Sequence, residues 1–363
     1  PAGLWWGSEG SNQTEIKKGR IDLELPFIEE KFGMIDVICM QETHISKEDM
    51  EVIPNTLYGY AWMHEPARSK DDKAAGVSIG YKHWMPKPTD LTQQIWKNIH
   101  MYSDRFGNME YLKGRLMIVG MELQGKNIAI ANFYGFTVED KFKENSDHKK
   151  QAHELIITAK EICLDIVERW TVDKKLKRSN VMLLMAGDFN ATPQYIKERN
   201  WQCRNWEVKN SKARLPSHNK DTKNKTTAMD TLCKSFEHVE DSYGIRPQGP
   251  YYTNVAYTGK DVRYRSGIDH MFMLTKDEWW RPNRATFWHG SENECKPESR
   301  HDMLVLKLHR VWACSIKRDG GRVKSPYKKI PAWIYEDETV MKKVAVEATK
   351  VLEIMQNNEA KII

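Results

Sequence analysis

This chain lacks most of the features that would announce a membrane, secreted or fibrous protein. No apolar stretch approaches the roughly 18–20 residues that a bilayer span needs, and the longest runs, such as Val181–Gly187, are strand-length. No membrane partner is expected. Cysteine is sparse: Cys39, Cys163, Cys203, Cys233, Cys295 and Cys314 are scattered with no C-x-x-C pair. That spacing suggests neither a zinc site nor a disulfide framework, and reduced intracellular thiols are the simpler reading. There is no internal repeat, no signal-like apolar region and no transit-type composition. The chain starts at Pro1, which is expected to be a cut inside a longer polypeptide.

What is present is ordinary for a globular protein. The 363 residues allow one large core with appendages or two modest domains. With 40% hydrophobic and 29% charged residues, wholesale disorder is excluded. The net charge of +6 suits an acidic partner but does not choose one.

Short apolar runs alternate with helical stretches. An amphipathic helix is expected over Ile21–Phe32, then a buried strand over Ile35–Met40 and further strands over Tyr58–Met63 and Gly76–Tyr81. Leu116–Leu123 and Asn127–Phe133 flank Gln124-Gly125, a hairpin signal. Helical spacing runs through Gln151–Trp170, and a basic turn over 174–178 leads into a strand at Val181–Ala186. A helix over Thr227–Phe236 and strands over Gly267–Leu274 and Met303–Leu308 complete the pattern. Two basic stretches, Cys203–Thr227 and Thr253–Ser266, read as loops. Elements interleaved without strict β-α-β order predict a mixed sheet pair rather than a doubly wound sheet.

Polar residues cluster at the ends of the predicted strands: Gln41-Glu42-Thr43-His44, Asn132-Phe133-Tyr134, Gly187-Asp188-Phe189-Asn190, Ser266-Gly267-Ile268-Asp269-His270 and Ser299-Arg300-His301. Strand ends can converge at one rim, where loops build sites on a rigid scaffold. The inventory fits phosphodiester hydrolysis. Carboxylates suit a hard cation such as Mg²⁺, and a His held by an Asp can stabilise charge on phosphorus. Each motif alone is common, since Asp and Asn suit turns and an isolated Glu caps many strands. Their order and spacing together carry the signal.

That order resembles the endonuclease/exonuclease/phosphatase superfamily, which includes AP endonucleases and DNase I, and within it the endonucleases of non-LTR (LINE-type) retrotransposons. Gln41–His44 is similar to the Q-E-T-H box, Gly114–Val119 to the G-R-Y-I strand and Gly187–Asn190 to G-D-F-N, while Ser266–His270 is similar to S-x-I-D-H. Asn132–Phe136 resembles N-x-Y-A-P, with Phe136 in place of the proline. The resemblance spans about Trp5 to Leu308. It implies an α+β, four-layer α/β/β/α sandwich, two packed mixed sheets flanked by helices, as the nuclease domain over 1–310. It further implies that Glu42, supported by Glu9, holds Mg²⁺ (or Mn²⁺), that Asp188 orients the attacking water and that Asn190 holds the phosphate. Asp269 would orient His301 towards a phosphate oxygen, and Tyr134 would hydrogen-bond the phosphate or assist near the leaving group. The implied activity nicks duplex DNA in the nucleus and leaves a 3′-hydroxyl as primer for a reverse transcriptase.

Two departures stand out. The first strand's W-N-x-(N/D)-G reads Trp6-Gly7-Ser8-Glu9-Gly10, and S-D-H reads Ser299-Arg300-His301. Arg300 would repel a metal yet match phosphate geometry. A catalytically impaired copy acting as a DNA-binding module is therefore one alternative, and a relative acting on RNA or inositol phosphates is another. By resemblance, Tyr252–Arg265 occupies the place of a groove-entering hairpin, so Lys260, Arg263 and Arg265 are expected at phosphates and Tyr257 and Tyr264 at sugars or bases. His44 and Arg300 are further candidates for DNA contact. Residues 311–363, with Lys328–Ile334 and a helix from about Glu336, resemble the connector towards the reverse transcriptase domain of the same polyprotein.

Overall fold

The computed structural model describes residues 35–47, 50, 56–57, 59–67, 75–83, 85–123, 125–136, 146–200, 202, 217–218, 223–244, 251–258, 261–275, 278–282, 285–289 and 301–308. By backbone packing the chain divides into two units, Pro1–Arg310 and Val311–Ile363. The second unit, with its expected connector and helix, lies outside the described residues, as does the expected helix over Ile21–Phe32.

Two sheets form the framework. Strands β1 (Val37–Met40), β2 (Thr56–Leu57), β3 (Tyr60–Glu65) and β4 (Val77–Lys82) make an antiparallel sheet in the order β1-β4-β3-β2. The larger sheet contains β5 (Thr89–Asp90), β6 (Leu116–Leu123), β7 (Lys126–Tyr134), β8 (Val181–Asp188), β10 (Phe236–His238) and β13 (Asp269–Leu274). Its order is β10-β13-β8-β7-β6-β5, and β7 and β8 are its parallel pair. A parallel neighbour needs a crossover. The long helix over Ser146–Asp173 supplies it.

Strand alternation explains the two cores. Val181, Leu183 and Met185 of β8 pack with Leu155, Ile156, Ala159, Ile162, Ile166 and Val167 of that helix, which recur at helical spacing. Met182 and Leu184, on the other face, pack with Val77, Ile79 and Tyr81 of the smaller sheet. A strand buried on both faces reads as a continuous apolar run, as Val181–Ala186 does. Helices, large sheet and small sheet thus stack as layers of the expected sandwich.

Among the described residues the helices are α1 (Thr92–Lys97), α2 (Ile99–Phe106), α3 (Ser146–Asp173), α4 (residues 194–200), α5 (Lys223–Ser235) and α6 (Val239–Tyr243). Neither α1 nor α2 is foreseen from the sequence. The first buries only Thr92 and Ile95, so little apolar periodicity is there to be read. The stretch Thr253–Ser266, a loop by composition but the place of a hairpin by resemblance, is a hairpin of β11 (Asn254–Thr258) and β12 (Asp261–Ser266). Within the other expected loop, β9 (Ser217–His218) adds to β12 in parallel and α5 begins. Two-residue pairing of this kind is set by the neighbouring strand rather than by local pattern. Strands β14 (Ala285–His289) and β15 (Leu304–Leu308) form a separate pair. Of β1, expected as a buried strand, only Met40 is fully buried, because among the described residues β1 is an edge strand.

Candidate active site

Strand register gathers the polar strand-end residues. Tyr134 lies opposite Asp188 across the parallel β7–β8 ladder. Asp188 in turn lies opposite Asp269 across β8–β13. Side chains alternate along a strand, so Asn132, Tyr134, Asp188 and Asp269 share the face that Met182 and Leu184 present to the smaller sheet. From that smaller sheet the loop after β1 brings Gln41 and Glu42. The Tyr134 hydroxyl donates to Glu42 Oε1 and joins the two sheets at this end.

A second tie is fully buried. Asn132 Nδ2 donates to the carbonyls of Met40 and Ser78, both at 2.9 Å, while its Oδ1 accepts from Gln41 Nε2 at 2.5 Å. One amide therefore sets the position of the Glu42 loop relative to β7.

The turn after β8 depends on close backbone approach. Gly187 has φ of 144°, and a Cβ there would lie 1.9 Å from the carbonyl oxygen of Phe133. No other residue fits. Asn190 follows in left-handed backbone (φ 49°); its N–H donates to Asp188 Oδ1 at 2.8 Å and its Nδ2 to Gly135 O at 3.1 Å. Glu42 (φ 51°) and His44 (φ 54°) adopt the same unfavourable region on the opposite side of the site.

Asp269 holds His301, with His301 Nδ1 3.0 Å from each carboxylate oxygen. Thr253 fixes the carboxylate in turn: its hydroxyl donates to Asp269 Oδ2 at 2.7 Å and accepts from the N–H groups of Ile268 and Asp269. A β-bridge between Asn254 and His301, with the Asp302 N–H donating to Thr253 O at 2.7 Å, delivers the histidine to this place. The Asn254 amide lies 2.6 Å from His301 Nε2.

The electrostatics follow from this crowding. Burial first, and then the nearby Asp269 charge, push the Asp188 carboxyl up to about 8. Burial also opposes a charge on His301, but Asp269 beside it, and Asp188 and Glu42 beyond, raise it to about 10. The ring is thus an imidazolium at neutral pH and donates at both nitrogens. The structure sets Asn254 Nδ2 against Nε2, so an imidazolium calls for the amide turned over, with its oxygen accepting. Burial and the charges of Glu42 and Asp188 hold the Tyr134 phenol well above its ordinary range.

Asp188, Asp269 and His301 present ligand atoms within 4.8 Å of one another. Because His301 Nδ1 is committed to Asp269, the donors left for a cation are carboxylate oxygens, the set a hard divalent ion prefers. The donor set fits.

The structure therefore brings together Glu42, Tyr134, Asp188, Asn190, Asp269 and His301 from among the sequence-predicted residues. His44 lies in the Glu42 loop, its imidazole kept below its ordinary pKa first by burial. Arg265 sits over the Tyr252 ring, 5.8 Å from its centroid. Tyr257 lies on β11 and Arg263 and Tyr264 on β12, and their side chains lie outside the described set. Glu9, Lys260 and Arg300 also fall outside the described residues. Sequence reasoning missed Thr253 and Asn254. They stand at the start of the segment read as a DNA-contacting hairpin, and no local signal marks them as partners of Asp269 and His301.

No protein-family model and no curated protein matches the sequence. Solved structures do. The chain is similar to the catalytic domain of APE2 from Xenopus laevis, with 12% identity over 79% of this chain and 88% of the other and a TM-score of 0.50. It is similar to the AP endonuclease LMAP from Leishmania major, with 12% identity over 80% and 84% and a TM-score of 0.50. The endonuclease domain of TRAS1, a telomere-specific non-LTR retrotransposon, matches with 14% identity over 79% and 90% and a TM-score of 0.41. The chain has the fold of these AP endonucleases, a DNase I-like sandwich.

Proposed function

We propose that this chain is a Mg²⁺-dependent endonuclease that nicks one strand of duplex DNA and leaves a 3′-hydroxyl. The observation that carries the reading is the convergence of Glu42, Asp188 and the Asp269–His301 pair at one end of the stacked sheets, from positions far apart in the chain. In this reading Glu42 with Asp188 holds the cation, which when bound polarises the phosphoryl oxygen and offsets charge on the leaving alkoxide. Mn²⁺ would serve the same donors.

The protein's own groups supply the rest. Asp188, fixed through Oδ1 by the Asn190 N–H, orients a water for in-line attack and accepts its proton. Asn190 and the His301 imidazolium donate to non-bridging oxygens, where negative charge grows in the transition state. Asn254 occupies the His301 Nε2 edge, so substrate phosphate takes the place of that amide. Tyr134 holds Glu42 and stands near the leaving oxygen. Lys260, Arg263, Arg265 and His44 would meet phosphates, with Tyr257 and Tyr264 against sugars, and Arg300 is a phosphate ligand on this scheme.

The motif resemblance extends the proposal to a particular setting: the endonuclease of a non-LTR retrotransposon, acting in the nucleus as the nuclease domain over 1–310. The nick would prime a reverse transcriptase domain of the same polyprotein, reached through 311–363. The test is conversion of supercoiled plasmid to open circle with Mg²⁺. Glu42→Ala and Asp188→Ala are each expected to lower the rate by about 10³-fold or more, and EDTA to abolish it. Wild type and both variants sharing one background rate would leave a DNA-binding module without chemistry, the alternative to which Gly7 and Arg300 point.

A further inference from the structure

Behind the proposed catalytic face, on the helix side of the same sheet, lie buried polar groups that the chemistry above does not use. Side chains alternate along β13, so His270 points away from Asp269. It is wholly buried among Phe189, Tyr251 and Phe272, stacked on the Tyr251 ring with centroids 5.6 Å apart. His270 Nε2 lies 2.9 Å from the carbonyl oxygen of Ala191. A carbonyl only accepts, so Nε2 carries the hydrogen. Burial, then the neighbouring His238, keep the ring well below its ordinary pKa and therefore neutral. Its Nδ1 is then an acceptor, and His238 Nε2, 3.2 Å away, donates to it.

With the hydrogen on Nε2, His238 Nδ1 lies 3.5 Å from Asp241 Oδ2 as a contact and not a hydrogen bond. Arg199 binds Asp241 at 2.9 Å and Glu240 at 3.2 Å. His238, Glu240 and Asp241 offer donor atoms within 4.8 Å of one another. The Arg199 guanidinium already supplies the positive charge these carboxylates require, so the group is an ion-paired cluster rather than a cation site.

We propose that His270 is a positioning residue for the Asp188–Asn190 turn, with His238 fixing the tautomer in which it acts. The proposal rests on the nuclease reading above. Ala191 directly follows Asn190, whose left-handed backbone persists only where its surroundings impose it. On the sheet side the turn is held by Gly135 N–H to Asp188 O at 2.7 Å and Phe189 N–H to Ile268 O at 2.9 Å. The Thr192 hydroxyl holds it further along, at 2.7 Å from Gly267 O. His270 is the group that pins it from beneath, and any displacement of Ala191 passes through one peptide to Asn190.

Two substitutions separate bonding from packing. His270→Phe keeps a ring in the aromatic layer but leaves the Ala191 carbonyl and the His238 N–H without partners. His270→Gln carries an amide N–H to the place of Nε2 but removes the ring. Single-turnover nicking, the Kd for duplex DNA, and amide exchange of residues 188–192 are measured on the full chain with Mg²⁺. His270→Phe is expected to slow nicking about 10- to 100-fold, since small displacements at a reacting centre cost that much. Its DNA affinity should stay within about twofold of wild type, because phosphate contacts along the duplex dominate binding. Exchange in the turn should rise about tenfold through local opening. His270→Gln is expected to stay within about threefold of wild type in rate and exchange, the Ala191 bond being kept.

A His270→Gln variant as slow as His270→Phe, or a His270→Phe variant equal to wild type, overturns the proposal. If wild type itself does not nick, the nuclease reading falls, and exchange alone decides: the Phe-over-Gln contrast supports positioning and its absence rejects it. If His270→Phe does not fold, His238→Leu removes the donor to Nδ1 while leaving His270 in place. A smaller loss in the same direction supports the scheme, and no change in rate or exchange rejects it.

Discussion

Replacing Asn132 with Leu tests the tie between the two sheets. Leu keeps the branch at Cγ but is the larger side chain, so the change removes the hydrogen bonds and adds an overpacking cost in the same direction. Asn132 is wholly buried and makes three bonds, to Met40 O, Ser78 O and Gln41 Nε2. At about 1 kcal/mol net for each bond the loss is about 3 kcal/mol, and stranding carbonyls without water raises it towards about 5 kcal/mol. In urea, with a slope of about 3 kcal/mol/M, the midpoint should fall by about 1 M or more. Nicking should fall too, because Glu42 loses its register with Tyr134 and Asp188. A midpoint shift under about 0.3 M, near 1 kcal/mol on that slope, would mean that the apolar layer alone aligns the sheets and that the argument is wrong.

Two further outcomes follow from buried groups. Gly187→Ala places a Cβ 1.9 Å from the Phe133 carbonyl oxygen at φ of 144°, so it should cost more than about 4 kcal/mol and yield insoluble or unfolded chain; a soluble variant of wild-type stability would refute the backbone geometry of the turn. Glu65 is raised from 4.5 to about 7, first by burial and then by Asp90, against opposing contacts from Trp96, Gly114 and Lys113. Its folded pKa lies above its unfolded value, so the folded state binds the extra proton between pH 4.5 and about 7 and stability falls as pH rises through that window. Glu65→Gln should remove this fall, gaining up to about 3 kcal/mol at pH 8 relative to wild type, and parallel stability curves for the two proteins would exclude the effect.

Much of the larger sheet was legible because its central strands are buried on both faces. Val181–Ala186 and Leu116–Leu123 show that burial as apolar runs, and α3 shows its apolar stripe at helical spacing. The residues at the strand ends were legible as short motifs, Gly187–Asn190 above all. What the sequence conceals is anything created by register. Asp188 faces Asp269 because β8 and β13 pair at one offset, and Thr253 meets Asp269 because a hairpin returns beside it. Asn200 was equally hidden. It brackets the Tyr251 backbone with bonds of 2.7 and 2.8 Å, and Tyr251 then donates to the Asp269 carbonyl at 2.8 Å. The short pairings of β9 and β2 carry no periodicity of their own, and α1 and α2 bury too little to display one.

Glu42, His44 and Asn190 occupy left-handed backbone that glycine would adopt without penalty. Glu42 and His44 held there cost about 1 kcal/mol apiece and Asn190 less, so the rim of the sheets is less comfortable than the core beneath it. Glycine would relieve that backbone, but at Glu42 it would lose the bond from Tyr134 and at Asn190 the bond to Gly135 O. The strained rim is thus held in place by the bonds that its own side chains make.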